Sequence, residues 1–557
     1  MGRRIIAVVA AAAIVSVAAI FSIILVTRHK ATTPPENPPQ PGETTSRAAI
    51  SFNEACKSTR HPEACEAMLS SLNEGAPPQP TYEPIEMTGY ATQFTAENLK
   101  TAKTMVDNLI SNPASNQNVS RAANICVELL QNAMHRMHST VNALRRGYVD
   151  DAKAWMSGAL VHQQACMSGL NKTINTNLPA IGTTVSYLGS LVNFTSDALS
   201  MIVSYDVFGN QTELWSPPKT ERDGFWGRFN RSALGFKGEF PSGLAVNVTV
   251  CNRTDEECDY RTIQDAVRAA PAGGQSRFVI HIKEGVYNET VRVPIEAKNV
   301  VFLGDGMGKT IITGSRNVHQ PGMTTYESAT VGVIGDGFMA KDLTIENTAG
   351  SSAHQAVAFR SDSDQSFLQD CEFIGNQDTL CANSLRQYYK SCRIQGNVDF
   401  IFGFAAAVFQ DCHILISPRA MSPDNNVITA HGRFDPAQST GFVLLNCTVI
   451  GTHDYMELYK KKPENCTNYL GRPWKEYSRT VYINSTLGDL ITPKGWMPWD
   501  GDFALSTLYY GEFGNTGPGS DLSGRENWTT QIPVDQVNSY SVENFIQGHE
   551  WIPVSSS

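Results

Sequence analysis

A short motif recurs through the second half of the chain at an almost constant interval. Each copy starts with a polar residue and a cysteine and continues with alternating apolar residues. The copies are DCEFIG (370–375), SCRIQG (391–396), DCHILI (411–416) and NCTVIG (446–451), with KDLTIEN (341–347) and KNVVFLG (298–304) as earlier versions that lack the cysteine. Short β-branched segments at this period, separated by Gly, Asn and Asp turns, predict a solenoid of stacked strands. Because no helical segments separate them, we predict a right-handed parallel β-helix rather than βαβ units.

Two aspartates, Asp378 and Asp399, stand one repeat apart. Asp399 lies inside the apolar run DFIFG (399–403), where a charge is costly unless it is paired or hydrogen-bonded. If one coil takes about 21 residues, as the spacing of Cys371 and Cys392 indicates, the two aspartates occupy equivalent positions on neighbouring coils. Stacked strands lie about 4.8 Å apart. Two carboxyl groups this close do not both ionise cheaply, so we expect one raised and one low pKa, as in a general acid paired with a nucleophile.

The first half of the chain has a helical period instead. Apolar residues recur every three or four positions in FTAENLKTAKTMVDNLI (94–110), AANICVELLQNAMHRMHSTVNAL (122–144) and DDAKAWMSGALVHQQACMSGL (150–170), and a fourth candidate spans about 185–203. Gly147 is a plausible C-terminal stop for the second of these. Four helices with short connections predict an antiparallel all-α bundle. The cysteines there pair plausibly as Cys56 with Cys65 and Cys126 with Cys166.

The N-terminal segment and the sequons point to export. An apolar run from Ile5 to Val26, flanked by basic residues, is long enough to span a bilayer and predicts a signal-anchor within 1–30. A Pro-rich linker follows at 31–47. Twelve Asn-x-Ser/Thr sites suit a glycosylated protein of the secretory pathway, and the twelve cysteines then predict disulfides rather than a zinc site. No cofactor or metal is expected.

The charge is unevenly distributed between the two halves. Residues 1–243 contain 20 Lys and Arg against 19 Asp and Glu, whereas residues 244–557 contain 24 against 35. The second half is therefore acidic, which argues against nucleic acid as a partner. Contact with a membrane is expected only through the N-terminal segment.

Five motifs in the second half occur in an order typical of one enzyme family. They are GVYNE (285–289), QAVAFR (355–360), QDTL (377–380), DFIFG (399–403) and LGRPW (470–474). Together they resemble the plant pectin methylesterases over about 244–551. The spacing CKSTRHPEAC and the run AKAWMSGAL resemble the plant invertase and pectin methylesterase inhibitor domain. The resemblance implies an inhibitor-like bundle at 48–206, a connector at 207–243 and a catalytic β-helix at 244–557.

The resemblance implies hydrolysis of the C6 methyl esters of cell-wall homogalacturonan to methanol and de-esterified pectin. Asp399 would attack the ester, and Asp378 would act as acid and then base. Gln377 and Gln355 would donate hydrogen bonds to the oxyanion, and Arg472 would keep Asp399 ionised. Sugar rings would stack on Trp474 and on Trp499. The family pattern adds Thr325 as a substrate contact.

Three residues depart from the family pattern, and two other functions compete. Asn376 and Cys381 stand where aromatic residues are usual, and Phe404 stands where Asn is common. A glycosidase or lyase on the same fold is one alternative, because carboxylate pairs also cleave glycosidic bonds. An inhibitor module with an inert β-helix is the other. The connector stretch GRFNRSALG has single arginines where such proteins often carry a dibasic processing tetrad, which puts removal of the bundle in doubt. The tethered bundle nevertheless predicts inhibition in cis.

Overall fold

The structure is a computed structural model. It describes residues 50–70, 82–173, 178–226, 236, 238–253, 257–419 and 424–554. The predicted signal-anchor, the Pro-rich linker and the stretch 227–235 lie outside these residues. The chain divides into two compact units, Met1–Pro218 and Lys219–Ser557. Within the described ranges, no helix is both long and apolar enough to cross a membrane.

The first unit contains the predicted bundle. Its helices are α1 (Phe52–Cys56), α2 (Pro62–Ser70), α3 (Pro84–Ser111), α4 (Gln117–Arg146), α5 (Val149–Asn171) and α6 (Pro179–Phe208). The four long helices pack in a closed ring, in which α3 and α5 each contact both α4 and α6. Asn116 caps α4 by accepting a hydrogen bond from the Val119 N–H, and Gly147 ends it in the left-handed conformation, as predicted. Both predicted disulfides, Cys56–Cys65 and Cys126–Cys166, are present.

The second unit is a parallel β-helix of three sheets. Sheet A contains β1 (Val248–Val250), β2 (Phe278–Ile282), β5 (Val300–Gly304), β8 (Met339–Lys341), β11 (Ser366–Gln369), β14 (Arg386–Lys390), β17 (Ala406–Gln410), β20 (Gly441–Leu445), β23 (Arg479–Ile483), β25 (Tyr509–Phe513) and β26 (Thr530–Gln531). Sheet B contains β4 (Val291–Val293), β7 (Val331–Val333), β10 (Phe359–Ser361), β13 (Leu380–Ala382), β16 (Val398–Gly403), β19 (Asp424–His431) and β22 (Cys466–Gly471). Sheet C contains β3 (Gly285–Asn288), β6 (Thr310–Gly314), β9 (Thr344–Asn347), β12 (Glu372–Ile374), β15 (Arg393–Gly396), β18 (His413–Ile416), β21 (Thr448–Gly451) and β24 (Thr486–Leu487).

Successive coils stack through parallel strand pairs. A typical coil runs from β14 through β15 to β16 and returns to sheet A at β17, which pairs with β14 in parallel. Five short helices accompany the coils: α7 (Ile263–Arg268), α8 (Thr325–Ser328), α9 (His453–Lys461), α10 (Val542–Phe545) and α11 (Gly548–Trp551). The apolar residues inside the coils form one continuous core. The predicted solenoid is confirmed.

The polar residue of the repeated motif has a conformational role. Six residues at this position, each between a strand of sheet A and a strand of sheet C, have a positive φ between 50° and 58°: Asp342, Asp370, Ser391, Asp411, Asn446 and Asn484. The segment KNVVFLG, predicted as an early copy of the motif, instead forms β5 of sheet A, and its Asn299 lies before that strand. Asn and Asp tolerate the left-handed region better than most residues, because their short side chains form local hydrogen bonds. The chain therefore turns from sheet A to sheet C at the same point in these six coils, which keeps them in register.

The cysteines of the motif are free thiols, which corrects the expectation that all twelve cysteines form disulfides. The second unit contains one disulfide, Cys251–Cys258. The free cysteines are Cys371, Cys381, Cys392, Cys412, Cys447 and Cys466. Those of the motif are buried and stacked coil upon coil, and the Cys392 N–H lies 3.4 Å from the Cys412 Sγ. A cysteine that points into an apolar solenoid acts as a small hydrophobic residue.

Candidate active site

The two aspartates occupy equivalent positions on adjacent coils, as the spacing predicted. Strands β13 and β16 pair with Leu380 opposite Ile401, an offset that also aligns Asp378 with Asp399. The Asp378 N–H donates to the carbonyl of Val398 across this pair (3.1 Å). Asp399 lies within β16, and Asp378 lies in the turn that leads into β13, where its backbone hydrogen bond to Val398 fixes it against β16.

A bulge in β16 sets the direction of Asp399. Val398 pairs with Val427 of β19, but Ile401 pairs with Thr429, so β16 has one residue more than β19 in this interval. Such a bulge locally redirects a side chain and is frequent beside active sites. Asp378 and Asp399 both have positive φ, 64° and 49°. This conformation strains the backbone of most residues and persists only where the surrounding structure enforces it. The surrounding coils therefore hold the two carboxylates in place.

Arg472 binds the carboxylate of Asp399 through two hydrogen bonds. Its Nε donates to Oδ1 at 2.8 Å and its Nη2 donates to Oδ2 at 2.6 Å. The guanidinium also lies over the ring of Trp499, 4.4 Å from the centroid. Bidentate pairing and stacking restrict the arginine to one orientation. Trp499, predicted as a sugar contact, is thus observed as a support for Arg472.

The environments of the two carboxyls favour different protonation states. Burial raises the pKa of Asp378 well above its usual range, and the nearby charge of Asp399 raises it further. Burial also raises the pKa of Asp399, although the hydrogen bonds and charge of Arg472 and the charge of Arg419 act in the opposite direction. The expectation that Arg472 keeps the pKa of Asp399 low is therefore not met, because burial outweighs the ion pair. Asp378 remains the more readily protonated of the two.

The two glutamines lie at the same edge as the aspartates. Gln377 directly precedes Asp378 and is half-buried, and the Ala356 N–H, next to Gln355, donates to the Gln377 carbonyl (3.2 Å). Gln355 therefore lies one coil from Gln377. No intramolecular hydrogen bond of either side-chain amide is seen among the described residues, in contrast to the many bonded Asn and Gln amides of the coils.

Trp474 lies on an aromatic base. Its ring packs on Phe404 with centroids 4.6 Å apart and meets the edge of Phe402 at 6.0 Å. Phe404 contacts Phe434 in turn, at 6.1 Å. The departure at Phe404 thus has a structural role, because it supports the predicted sugar-binding ring. Sequence reasoning missed this role, since nothing in the sequence places Phe404 against Trp474.

The remaining predicted positions lie around this centre. Thr325 opens α8, which is tied to the coils because the Ser328 hydroxyl accepts a hydrogen bond from the Val357 N–H (3.2 Å). Asn376 accepts a hydrogen bond from the Asn397 amide of the next coil (3.1 Å). Cys381 is buried, and burial raises the pKa of its thiol well above its usual range, so it is not poised as a nucleophile.

Paired carboxylates in unlike environments, a fixed arginine and an aromatic platform define an esterase-like site for a sugar polymer. The pectinesterase family model matches residues 247–549, and the model of the plant invertase/pectin methylesterase inhibitor matches residues 51–201. The chain therefore belongs to the pectinesterase family and carries an inhibitor-type domain before the enzyme domain. It hydrolyses pectin methyl esters, and the glycosidase, lyase and inert-module alternatives fall away.

Relatives and a solved structure agree with this assignment. The chain is 55% identical over 507 residues to a probable pectinesterase/pectinesterase inhibitor of Arabidopsis thaliana, covering 89% of this chain and 83% of the relative. It is 39% identical to pectinesterase 2 of Citrus sinensis, covering 90% and 92%. The structure of pectin methylesterase from carrot matches with a TM-score of 0.54 and 46% identity, covering 57% of this chain and 99% of that one.

Proposed function

We propose that Asp399 is the nucleophile of ester hydrolysis and Asp378 the general acid and base. The observation that supports this most is the contrast between the two stacked carboxyls. Asp399 is held by the bidentate hydrogen bonds of Arg472, whereas burial and the charge of Asp399 raise the pKa of Asp378 and so favour its protonated form. An ionised nucleophile beside a protonated acid is the pair that ester cleavage needs.

The reaction then proceeds in two balanced steps. An Asp399 oxygen attacks the C6 carbonyl carbon, and the tetrahedral intermediate collapses as Asp378 protonates the departing methoxy oxygen, which releases methanol. Asp378, now a carboxylate, takes a proton from water, and the hydroxide attacks the C6 carbonyl of the acyl-enzyme. Cleavage of the bond to Asp399 restores its carboxylate and leaves C6 as a carboxylic acid, which ionises.

Gln377 and Gln355 are proposed to stabilise the oxyanion. The amide N–H groups of their side chains are neutral donors near the position where negative charge develops, and neutral donors favour the oxyanion without binding Asp399 as a counter-ion. Trp474, and Thr325 at the start of α8, are proposed to contact neighbouring sugars. Arg472 keeps Asp399 oriented and lowers the cost of its charge in a buried position.

Hydroxylamine trapping tests the covalent step. Hydroxylamine present during turnover of methylated pectin should divert the acyl-enzyme and give hydroxamate in proportion to methanol released. Asp399→Asn should give neither product. Hydroxamate formed by that variant above the level of an enzyme-free control, or unchanged methanol release, would remove Asp399 as the nucleophile.

We also propose that the inhibitor-type domain restrains the enzyme domain in cis. The two are joined by one chain, and a short covalent connection raises the effective concentration of one domain at the other, on the order of millimolar. Equal specific activities of the full chain and a 219–557 form would refute inhibition and leave the bundle an aid to folding or export. The shorter form starts at Lys219 rather than at 244, because residues 219–226 belong to the second compact unit.

The chain is further proposed to reach the cell wall through the secretory pathway, where pectin lies, with an intermediate that is membrane-anchored through residues 5–26. The apolar run and the twelve sequons support this. A fluorescent fusion at the C-terminus should reach the wall. Deletion of residues 1–30 should retain it inside the cell and abolish its glycan-dependent mass, and export of the deleted form would contradict the proposal.

A further inference from the structure

Part of the predicted connector (207–243) is folded against the β-helix. Residues 219–226 belong to the second compact unit. They begin with a capped turn, in which the Thr220 N–H donates to Asp223 (2.8 Å). We call residues 219–226 the anchor segment.

The anchor segment supplies the counter-charge of two buried arginines. The carboxylate of Glu221 lies 2.9 Å from Arg479 and 3.7 Å from Arg433, and all three side chains are largely buried. The pKa of Arg433 falls to about 9, because burial and the charge of Arg479 destabilise its cation, while the charges of Glu221 and then Asp435 act in the opposite direction. Removing one partner of a buried ion pair leaves an uncompensated charge, which is strongly unfavourable. Dissociation of Glu221 from these two arginines is therefore unfavourable.

Two residues that follow Glu221 also hold the anchor segment on the β-helix. Arg222 donates to the carbonyls of Trp528 (3.0 Å) and Leu505 (3.3 Å). The ring of Trp226 meets the edge of Tyr509, with centroids 5.6 Å apart, and that of Tyr540 at 6.4 Å. A buried carboxylate, a hydrogen-bonded arginine and an aromatic ring within six residues form a compact binding element.

The arginines link this surface to the active-site wall. The backbone N–H of Arg479 donates a hydrogen bond to Nδ1 of His431 (3.1 Å), and His431 lies two residues before Arg433. Gly432, which lies between His431 and Arg433, has no room for a side chain, because a Cβ there would lie 2.5 Å from Phe404 and 2.9 Å from Trp474. The anchor segment thus supports the same loop that packs behind Trp474.

We propose that the surface around Arg433, Arg479 and Tyr509 is a docking site for the anchor segment, which keeps the inhibitor-type domain attached after a cut within 227–235. Such a cut breaks the covalent connection downstream of residues 219–226, and these residues remain bound to the β-helix. A cut before Lys219 leaves the anchor segment on the enzyme and frees the bundle. The position of cleavage, rather than cleavage itself, therefore decides whether the inhibitor-type domain departs.

Two matched forms of the full chain test this. The same protease recognition sequence is inserted within 227–235 in one form and between Pro218 and Lys219 in the other, and each is cut and passed over a size-exclusion column. The fragments should co-elute after the downstream cut and separate after the upstream cut. Separation in both forms would overturn the proposal, and co-elution in both would show that another contact holds the bundle.

A substitution in the anchor segment assigns the retention to Glu221. After the downstream cut, Glu221→Gln should release the N-terminal fragment at least about tenfold faster, because the amide lacks the charge that compensates both arginines. Glu213→Gln, at an exposed carboxylate upstream, is the matched control and should dissociate like the unsubstituted protein. Equal release rates for both variants would overturn the role of Glu221.

A peptide gives a readout that does not depend on the folding of a variant. A synthetic peptide of residues 217–226 in excess should displace the N-terminal fragment from the downstream-cut protein, and the same peptide with Gln at 221 should need at least about ten times the concentration. No displacement by either peptide would contradict the docking site. Methanol release by the uncut protein monitors the proposed catalytic roles separately, so that failure of one proposal leaves the other assessable.

Discussion

The coils that carry Asp378 and Asp399 have the same register but different surroundings. The coil of Asp378 pairs regularly with its neighbour, and its carboxyl is buried beside another carboxylate. The coil of Asp399 has a bulge against β19, and its carboxyl is bound by Arg472. In the proposed mechanism, one residue type at one repeat position is the acid in one coil and the nucleophile in the next. The chemistry arises where the repeat is interrupted.

Asp399→Asn should give the largest effect, because it removes the proposed nucleophile while nearly preserving the shape of the side chain. We expect methanol release to fall at least about 10⁴-fold. Binding of methylated pectin and the thermal unfolding profile should change little, since the amide oxygen still accepts from Arg472. Turnover at a tenth of the normal rate would show that Asp399 is not the nucleophile, and the proposed difference in role between the two coils would be wrong.

Asp378→Asn should have a smaller effect of about 10²- to 10⁴-fold, the range of general acid–base catalysis. Asp378 must be protonated to act, and its pKa is raised, so activity should fall as pH rises through this pKa. The asparagine of the variant has no ionisable group at this position. The residual activity should therefore lose its alkaline limb, measured as kcat against pH. An alkaline limb at the same pH in this variant would assign that titration to another group.

The sequence predicts the repeat better than its interruptions. The interval between Cys371 and Cys392 was enough to align Asp378 with Asp399, because a solenoid repeats its register in every coil. The bulge at Asp399 arises because β16 has one residue more than β19 between their paired positions, which interrupts the regular register. The free thiols were missed for a related reason: a cysteine that stacks inside a solenoid has the same sequence pattern as one that forms a disulfide.

Arg472→Gln should alter the pH profile with a moderate loss of rate. Activity requires ionised Asp399 and falls as pH drops through its pKa. Arg472 lowers the pKa of Asp399, so its removal should move the acid limb to higher pH, by about one to three units for a lost neighbouring charge. The alkaline limb should also rise, because Arg472 lowers the pKa of Asp378 as well. Arg472→Lys keeps the charge but not the bidentate geometry, so its acid limb should lie between those of the unsubstituted protein and Arg472→Gln. An unchanged acid limb would show that Arg472 does not influence the ionisation of Asp399.

Phe404→Leu should have the smallest effect, and it should appear in KM. The ring of Phe404 packs on Trp474 with centroids 4.6 Å apart, so its loss should loosen the proposed sugar-binding ring more than it disturbs the carboxylates. Aromatic pairs contribute about 0.5–1.5 kcal/mol, which corresponds to a KM about two- to tenfold higher with kcat nearly unchanged. Phe545→Leu, which removes a ring that packs on Tyr540, is the matched control and should leave KM unchanged. A fall in kcat without a change in KM would mean that Phe404 acts through the bulged coil of Asp399 rather than through Trp474.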